Sequence, residues 1–294
     1  MNIIDVEYTL GSGQVFLWYK RGRSYYLIYS ENVVRIEPCY EQLVYESRPV
    51  HIDVERLFRL DDDIHAINHS IRYKDALIGD AVNRFKGLRL MRQDPFQCLI
   101  SFICATNTSI TRVRYMLEGI CKRFGNKVEL DGLTFHTFPS PKALQYASIN
   151  DLVECGLGYR ARFVKGAIYS YLDMDVESLL YGSYDEVRDI LVSIDGVGNK
   201  VADCVMLFSL EKLEAFPIDV WIWRVIAEYY RHLVCMDGDK RRRVSPNMYR
   251  RVSSMMRGYF GRYAGYAQQY LYCYARTYMP SAYNKDRYIH GGGD

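Results

Sequence analysis

Cysteine is the first residue type whose placement limits what this chain can be. Its eight cysteines include no Cys-x-x-Cys pair, and only Cys273 lies beyond Cys235. An iron–sulfur cluster near the C-terminus needs four clustered thiolates, so this spacing excludes one. Several cysteines fall on predicted apolar helix faces, and we expect them to be reduced, buried and mostly structural.

Long apolar runs and a strong charge of either sign are also missing. No stretch reaches the roughly 18 apolar residues of a membrane helix, and no charged N-terminal segment precedes an apolar core, so we expect an intracellular protein without a secretion signal. The net charge of +3 neither requires nor excludes nucleic acid, and a local basic patch would have to bind phosphate. With 294 residues, 49% of them hydrophobic, the chain can bury a large core in two or three subdomains.

The first 50 or so residues are rich in aromatic and β-branched residues. Four short segments of this kind are separated by polar turns and predict an antiparallel meander. They span residues 15–19, 25–29, 33–36 and 42–45. A glycine loop at residues 10–14 precedes them, and from about residue 52 the pattern becomes helical. Asp94-Pro95 and Ser109 each predict the start of a helix there.

Residues 183–225 read as two short helices joined by a glycine turn. Ser183 and Glu186 form a capping box before an apolar stripe at helical spacing. The stripe consists of Val187, Ile190, Leu191 and Ile194. It stops at a turn in which Gly196 and Gly198 can adopt backbone angles that other residues avoid. A second stripe then begins a new helix, opened by Lys200.

This turn carries the residues of greatest chemical interest. Backbone N–H groups at a helix N-terminus bind phosphate oxygens without reading bases. Lys200 would sit where the helix dipole favours a neutral, nucleophilic amine, and Asp219 occupies the N-cap position of the next helix. Each feature alone has an ordinary explanation as a turn, a solvated lysine or a cap.

Together these residues resemble a known motif. The two runs that carry it read Gly196-Val197-Gly198-Asn199-Lys200-Val201-Ala202-Asp203-Cys204 and Pro217-Ile218-Asp219-Val220-Trp221. They resemble the helix-hairpin-helix-Gly/Pro-Asp motif of base-excision DNA glycosylases in its lysine-bearing form, and most closely the 8-oxoguanine DNA glycosylase family. The resemblance implies that Lys200 forms a Schiff base with the sugar, that Asp219 stabilises positive sugar charge, and that the hairpin binds DNA.

The resemblance also implies a pocket for the flipped base. Gly13 matches a glycine whose carbonyl accepts the N7–H of 8-oxoguanine, and Gln268 matches a glutamine that binds the Watson–Crick edge. Cys204 and Tyr272 would sandwich the base. Here Tyr272 replaces a phenylalanine, and Trp221 stands where animal members carry histidine.

Two further segments match family regions that contact the strand opposite the lesion. Asn107 and Arg112 would contact the orphaned cytosine. Tyr159 would intercalate as a wedge, and Arg160 would read the same cytosine with its rigid fork of donors. The ordinary alternatives are a turn residue, a solvated arginine and a helix connection. A basic run at residues 240–243 receives no role, since such runs are usually solvated loops.

The predicted fold class is α+β. An N-terminal antiparallel sheet domain with a helical connection spans residues 1–85, two mainly helical subdomains span residues 86–280, and residues 281–294 form a disordered tail. We expect a monomer that acts on double-stranded DNA containing oxidised guanine, in a compartment that holds DNA. No cofactor is required, although the hairpin would accept a monovalent or divalent cation. The alternatives are a glycosylase for another damaged base, such as thymine glycol, an adenine glycosylase, or a non-catalytic DNA-binding module.

Overall fold

A four-stranded antiparallel sheet forms the N-terminal part of the computed structural model, which describes residues 4–39, 42–234 and 245–279. The strands are β1 (Trp18–Arg21), β2 (Ser24–Tyr29), β3 (Asn32–Cys39) and β4 (Gln42–Arg48). They pair in chain order, as a meander does. The predicted antiparallel sheet is therefore confirmed.

The first strand begins three residues later than predicted. Val15, Phe16 and Leu17 are buried in succession, which a strand with one exposed face does not allow. Val15 packs in the core under the sheet, whereas Phe16 and Leu17 pack in the larger helical core. This extended segment thus joins the two cores before the sheet begins.

One helix and one β-hairpin of the structure were not predicted. A six-residue helix, α1 (Val6–Gly11), precedes the sheet and is capped by Asp5. A hairpin of β5 (Lys127–Leu130) and β6 (Leu133–His136) interrupts the region that the sequence pattern assigned to helices. Asp131 and Gly132 form its turn, both with positive φ, as a type I′ hairpin turn requires.

The rest of the described chain is helical. The first of these helices are α2 (Val54–Leu57), α3 (Ile64–Arg72), α4 (Ala76–Arg84), α5 (Pro95–Cys104), α6 (Ile110–Phe124), α7 (Pro141–Leu144) and α8 (Ile149–Glu154). They are followed by α9 (Arg160–Leu172), α10 (Val176–Tyr181), α11 (Tyr184–Val192), α12 (Asn199–Ser209), α13 (Val220–Tyr229), α14 (Arg231–Val234), α15 (Pro246–Phe260) and α16 (Ala264–Tyr278).

The predicted helix starts are confirmed by their caps. Asp94, Ser109 and Asp219 each accept a backbone N–H at the start of a helix, and Ser183 and Glu186 form the predicted capping box. Ile190 is the exception among the apolar stripes, since 43% of its surface is exposed.

The helical core also contains α3 and α4, the helices that soon follow the N-terminal sheet. Their buried side chains form one cluster with those of α5, α12 and α16.

Six of the seven described cysteines are buried, and all seven are free thiols. Within the described residues, no helix is both long and apolar enough to cross a bilayer. The basic run at 240–243 and the predicted disordered tail lie outside the described residues.

Candidate active site

The glycine turn joins α11 to α12. Gly196 has φ +87°, and a Cβ added there would lie 2.6 Å from Cβ and Cγ of Phe163. Gly198 has an ordinary φ of −89°, so of the two glycines only Gly196 uses a backbone angle that other residues avoid. Gly198 is the N-cap of α12, and no side chain caps this helix end. The first N–H groups of α12 are therefore open to an anion.

Lys200 lies in the first turn of α12. Its Nζ lies over the ring of Phe102, 4.9 Å from the ring centroid. Asp219 is the N-cap of α13 and accepts the N–H groups of Trp221 and Ile222, both at 2.9 Å and both on Oδ1. The cap therefore does not use Oδ2. Burial raises the pKa of Asp219, while those two N–H groups and nearby Lys200 oppose the shift.

Lys200 and Asp219 face one cavity of about 390 Å³, a size typical of small-ligand pockets. Seven of the residues predicted for the site line it. They are Gly13, Lys200, Cys204, Asp219, Trp221, Gln268 and Tyr272. The chain thus brings an amine, a carboxylate, an amide and aromatic rings together from its N-terminal loop, α12, α13 and α16.

Among these groups, the amine of Lys200 is the best-placed nucleophile. Burial raises the pKa of Cys204 to about 12, so the thiol stays protonated and nearly inert at neutral pH. Burial, with Asp219 nearby, also raises the pKa of the Tyr272 hydroxyl. Cys204 therefore serves as an apolar wall of the cavity.

Gly13 lies directly against Tyr272. Its φ is +76°, and a Cβ at this position would be 2.7 Å from the hydroxyl oxygen of Tyr272. Only glycine fits both the backbone angle and the space. Arg276, one helical turn after Tyr272, donates to the same hydroxyl at 3.3 Å. The aromatic wall is thus held between the N-terminal loop and Arg276.

Buried glutamines on both sides fix the N-terminal loop. Gln269 donates to the Ser12 carbonyl at 2.6 Å, which ties α16 to the residue before Gly13. Gln14 donates to the carbonyls of Thr9 and Arg89 and accepts the N–H of Met91. These bonds make the loop rigid although it contains glycine.

Gln268 differs from its neighbour Gln269. Its side chain is 5% exposed, it lines the cavity, and its Oε1 has no hydrogen-bond partner among the residues that the structure describes. A buried acceptor without a partner costs free energy, on the order of 1–3 kcal/mol. A ligand that donates to Gln268 would recover it.

The residues predicted to face the opposite strand form a separate group outside this cavity. Arg112 is exposed, donates to the Gly156 carbonyl at 3.2 Å, and lies over the ring of Tyr115. Arg160 is buried, and its guanidinium donates to the carbonyl of Thr106 next to Asn107. Asn107 is exposed and has a positive φ of 49°. The structure therefore joins the predicted segments through these two arginines.

The predicted wedge is connected to the glycine turn. Tyr159 is 54% exposed, with its ring 4.5 Å from the Arg160 guanidinium and edge-on to Phe163. Phe163 is also the residue that fills the space at Gly196. One aromatic residue thus fixes the wedge relative to the hairpin.

Sequence reasoning missed several residues of the site. Phe102, Phe208, Gln269 and Arg276 line the cavity but were assigned no role. Arg276 could have been found because it lies four residues after Tyr272 on one helix face. Phe102 had no such signal, since all its neighbours from Cys98 to Cys104 on α5 are buried as well and all but Ser101 are apolar.

Comparison with known proteins agrees with this geometry. The description "8-oxoguanine DNA glycosylase, N-terminal domain" matches residues 2–99, and "HhH-GPD superfamily base excision DNA repair protein" matches residues 100–240. A probable N-glycosylase/DNA lyase of Methanothermobacter thermautotrophicus is 32% identical over 265 residues, 83% of this chain and 80% of the relative. This chain belongs to the 8-oxoguanine DNA glycosylase/AP lyase family.

Other members extend the match across the fold. The N-glycosylase/DNA lyase OGG1 of Arabidopsis thaliana is 29% identical over 92% of this chain and 76% of its own. The Clostridium acetobutylicum 8-oxoguanine glycosylase/lyase, solved with double-stranded DNA containing cytosine opposite 8-oxoguanine, superposes with a TM-score of 0.82 at 29% identity. That alignment covers 93% of this chain and 92% of the other. The present glycosylase is therefore a bifunctional enzyme of base-excision repair, an N-glycosylase and a DNA lyase.

Proposed function

We propose that this glycosylase removes 8-oxoguanine from double-stranded DNA, preferably opposite cytosine, through a Schiff base on Lys200. The observation that carries the proposal is the cavity itself, where the Lys200 amine and the Asp219 carboxylate meet a buried amide acceptor, Gln268. The N1–H and N2–H donors of a guanine-type base match that acceptor. The base must leave the stack to reach it, because C1′ is inaccessible inside the duplex.

The chemistry uses two of these groups. The lone pair of the Lys200 amine attacks C1′, the glycosidic bond breaks, and the base leaves with the bonding electrons. Asp219 stabilises the positive charge that develops on the sugar. One proton of the attached nitrogen then passes to the ring oxygen O4′ as the C1′–O4′ bond breaks, and the sugar opens to a protonated imine. Loss of a C2′ proton then expels the 3′ phosphate and cuts the strand.

The choice between 8-oxoguanine and guanine is assigned to Gly13. The Watson–Crick edge is the same in both bases, so Gln268 cannot separate them. They differ at N7, which is a donor in 8-oxoguanine and an acceptor in guanine. A carbonyl at Gly13 would accept the first and repel the second, and it lies in a loop held by Gln14 and Gln269.

Recognition of the base opposite the lesion is assigned to the group of residues outside the cavity. Tyr159 is exposed enough to enter the duplex. Asn107 and Arg112 are also exposed, and hydrogen bonds from Arg112 and Arg160 connect their segment to that of Tyr159. To contact cytosine, Arg160 would exchange its bond to the Thr106 carbonyl for the base edge. Each lost base contact is expected to cost roughly 1–3 kcal/mol.

The proposed chemistry also determines which cofactors and partners the enzyme needs. An amine and a carboxylate suffice for both steps, so we propose that no cofactor takes part and that a cation at the hairpin would only bridge to phosphate. Its partner is duplex DNA with oxidised guanine, bound by a monomer in a compartment that contains DNA.

A nicking assay tests the substrate. Duplexes carry 8-oxoguanine, thymine glycol or undamaged guanine, each opposite all four bases, and strand cleavage is followed under excess enzyme. We expect cleavage at 8-oxoguanine, at least tenfold faster opposite cytosine than opposite adenine, which is about 1.4 kcal/mol. Arg112→Ala should flatten that preference. Preferred cleavage at thymine glycol would refute the substrate, and equal rates opposite all bases would refute the opposite-base assignment.

A further inference from the structure

Asp203 is a buried carboxylate that the mechanism above does not use. It lies on α12 one turn after Lys200, with no exposed surface. The hydroxyl of Tyr184 on α11 donates to Oδ1 at 2.5 Å, and the hydroxyl of Tyr249 on α15 donates to Oδ2 at 2.7 Å. Burial raises the pKa of Asp203 to about 6, while the tyrosine hydroxyls and Arg257 favour its charged form.

Tyr249 connects this carboxylate to the segment that carries Asp219. Its hydroxyl oxygen accepts the backbone N–H of Ile218 at 3.0 Å, and Ile218 directly precedes Asp219. The donation to Asp203 fixes the phenolic hydrogen, so the lone pair faces the N–H. The bonds Asp203–Tyr249–Ile218 thus join the Lys200 helix to the Asp219 segment through side chains, besides the connecting loop.

We propose that Tyr249, oriented by Asp203, is a positioning residue that sets the Asp219 carboxylate relative to the Lys200 amine. The proposal rests on the roles given to these two groups above. Without the Tyr249 hydroxyl, the Ile218 N–H loses a buried partner and the start of α13 is free to shift. Neither Tyr249 nor Asp203 lines the cavity, so contact with the base does not change.

The test compares two tyrosines that bind the same carboxylate. Tyr249→Phe removes the hydroxyl between Asp203 and Ile218. Tyr184→Phe removes the other hydroxyl on Asp203 and leaves Ile218 untouched, so it is the matched control. Melting temperature, affinity for a lesion duplex and single-turnover excision with borohydride trapping are measured on the full chain. Asp203→Asn provides the same test if Tyr249→Phe does not fold.

We expect both phenylalanine variants to keep lesion affinity, with Tyr249→Phe the less stable of the two because it also leaves the Ile218 N–H without a partner. Only Tyr249→Phe should slow excision and trapping at least tenfold. Asp203→Asn should slow excision in the same direction. An unchanged rate in Tyr249→Phe, or equal slowing in Tyr184→Phe, would overturn the positioning role. Absence of trapping in the wild type would instead refute the proposed Schiff base.

Discussion

At the scale of single residues, Asp219 combines a structural and a chemical role on different oxygens. Oδ1 caps α13 through two N–H groups, and the cap leaves Oδ2 unused. Asparagine keeps an equivalent acceptor oxygen and is as good an N-cap as aspartate. The two roles are therefore separable by one substitution.

We predict that Asp219→Asn slows base excision by about 10²–10³-fold, the usual effect of removing one preorganised electrostatic group. Stability should change by no more than about 0.5 kcal/mol because the cap persists. Single-turnover kinetics and thermal melting measure the two effects. A variant with near-normal excision would reduce Asp219 to a cap.

The raised pKa of Asp219 gives the same residue a pH signature. Because burial raises its pKa, the Asp219 carboxylate becomes protonated at a higher pH than an exposed aspartate does. The acid limb of the wild-type excision profile should therefore lie above the ordinary aspartate pKa. A limb at or below that pKa would contradict the assignment.

Gly13 offers a second residue-scale prediction. Gly13→Ala should strain the backbone and displace Tyr272, weakening lesion binding at least tenfold and eroding the preference for 8-oxoguanine over guanine. Gly11→Ala is the matched control, since nothing lies within 4 Å of a Cβ at Gly11. Binding assays with lesion and undamaged duplexes compare the two. Full preference in Gly13→Ala would move lesion choice away from this loop.

At the scale of elements, the two glycines of the hairpin should respond differently to alanine. Gly196→Ala forces a side chain onto a positive φ and into Phe163, at a cost of about 1–3 kcal/mol of folding free energy. Gly198→Ala has an ordinary φ and open space, so stability should hold. Its methyl group would obstruct phosphate at the uncapped start of α12.

Thermal melting and binding to undamaged duplex separate these effects. We expect Gly196→Ala to melt lower, and Gly198→Ala to melt normally but bind DNA about tenfold more weakly, or about 1.4 kcal/mol. Normal DNA affinity in Gly198→Ala would mean that the hairpin does not approach phosphate.

The elements also show which local signals a sequence carries. Asp94, Ser109, Ser183 and Asp219 were identified as caps because capping is a short-range bond between named residue types. Helix α1 was missed because six residues are too few for a clear period. The β5–β6 hairpin did have a signal, Asp131–Gly132 between alternating residues, which a continuous helical interpretation overlooked.

At the scale of the whole molecule, long-range contacts could not be derived from local pattern. The family resemblance placed Gly13 with Gln268 and Tyr272, but periodicity alone could not bring the N-terminal loop to α16. Nor could it show that Arg160 points to the Thr106 carbonyl, because that orientation depends on packing between α5 and α9. Composition and spacing thus predict elements, whereas the cavity depends on their assembly.

An ion-pair cluster connects the end of α12 with two segments earlier in the chain. Glu211, just after α12, accepts hydrogen bonds from Arg59 at 2.8 Å and from Arg92 at 2.9 Å, and the Arg59 side chain is only 1% exposed. We predict that Glu211→Gln lowers the free energy of unfolding by about 1–3 kcal/mol, since buried Arg59 loses the nearer of its two carboxylate partners and keeps only Asp62 at 3.8 Å. The exposed pair of Lys127 and Glu129 supplies the control, Glu129→Gln, with little effect. Equal melting of both variants would contradict the prediction.

The most direct test of the enzyme's chemistry is borohydride trapping on a duplex with 8-oxoguanine opposite cytosine. Borohydride reduces an imine to a stable amine, so the wild type should become covalently attached to the DNA. Lys200→Gln should bind the same duplex and form no adduct, because its amide cannot form an imine. A persistent adduct in Lys200→Gln would place the nucleophile elsewhere and contradict the central role of Lys200.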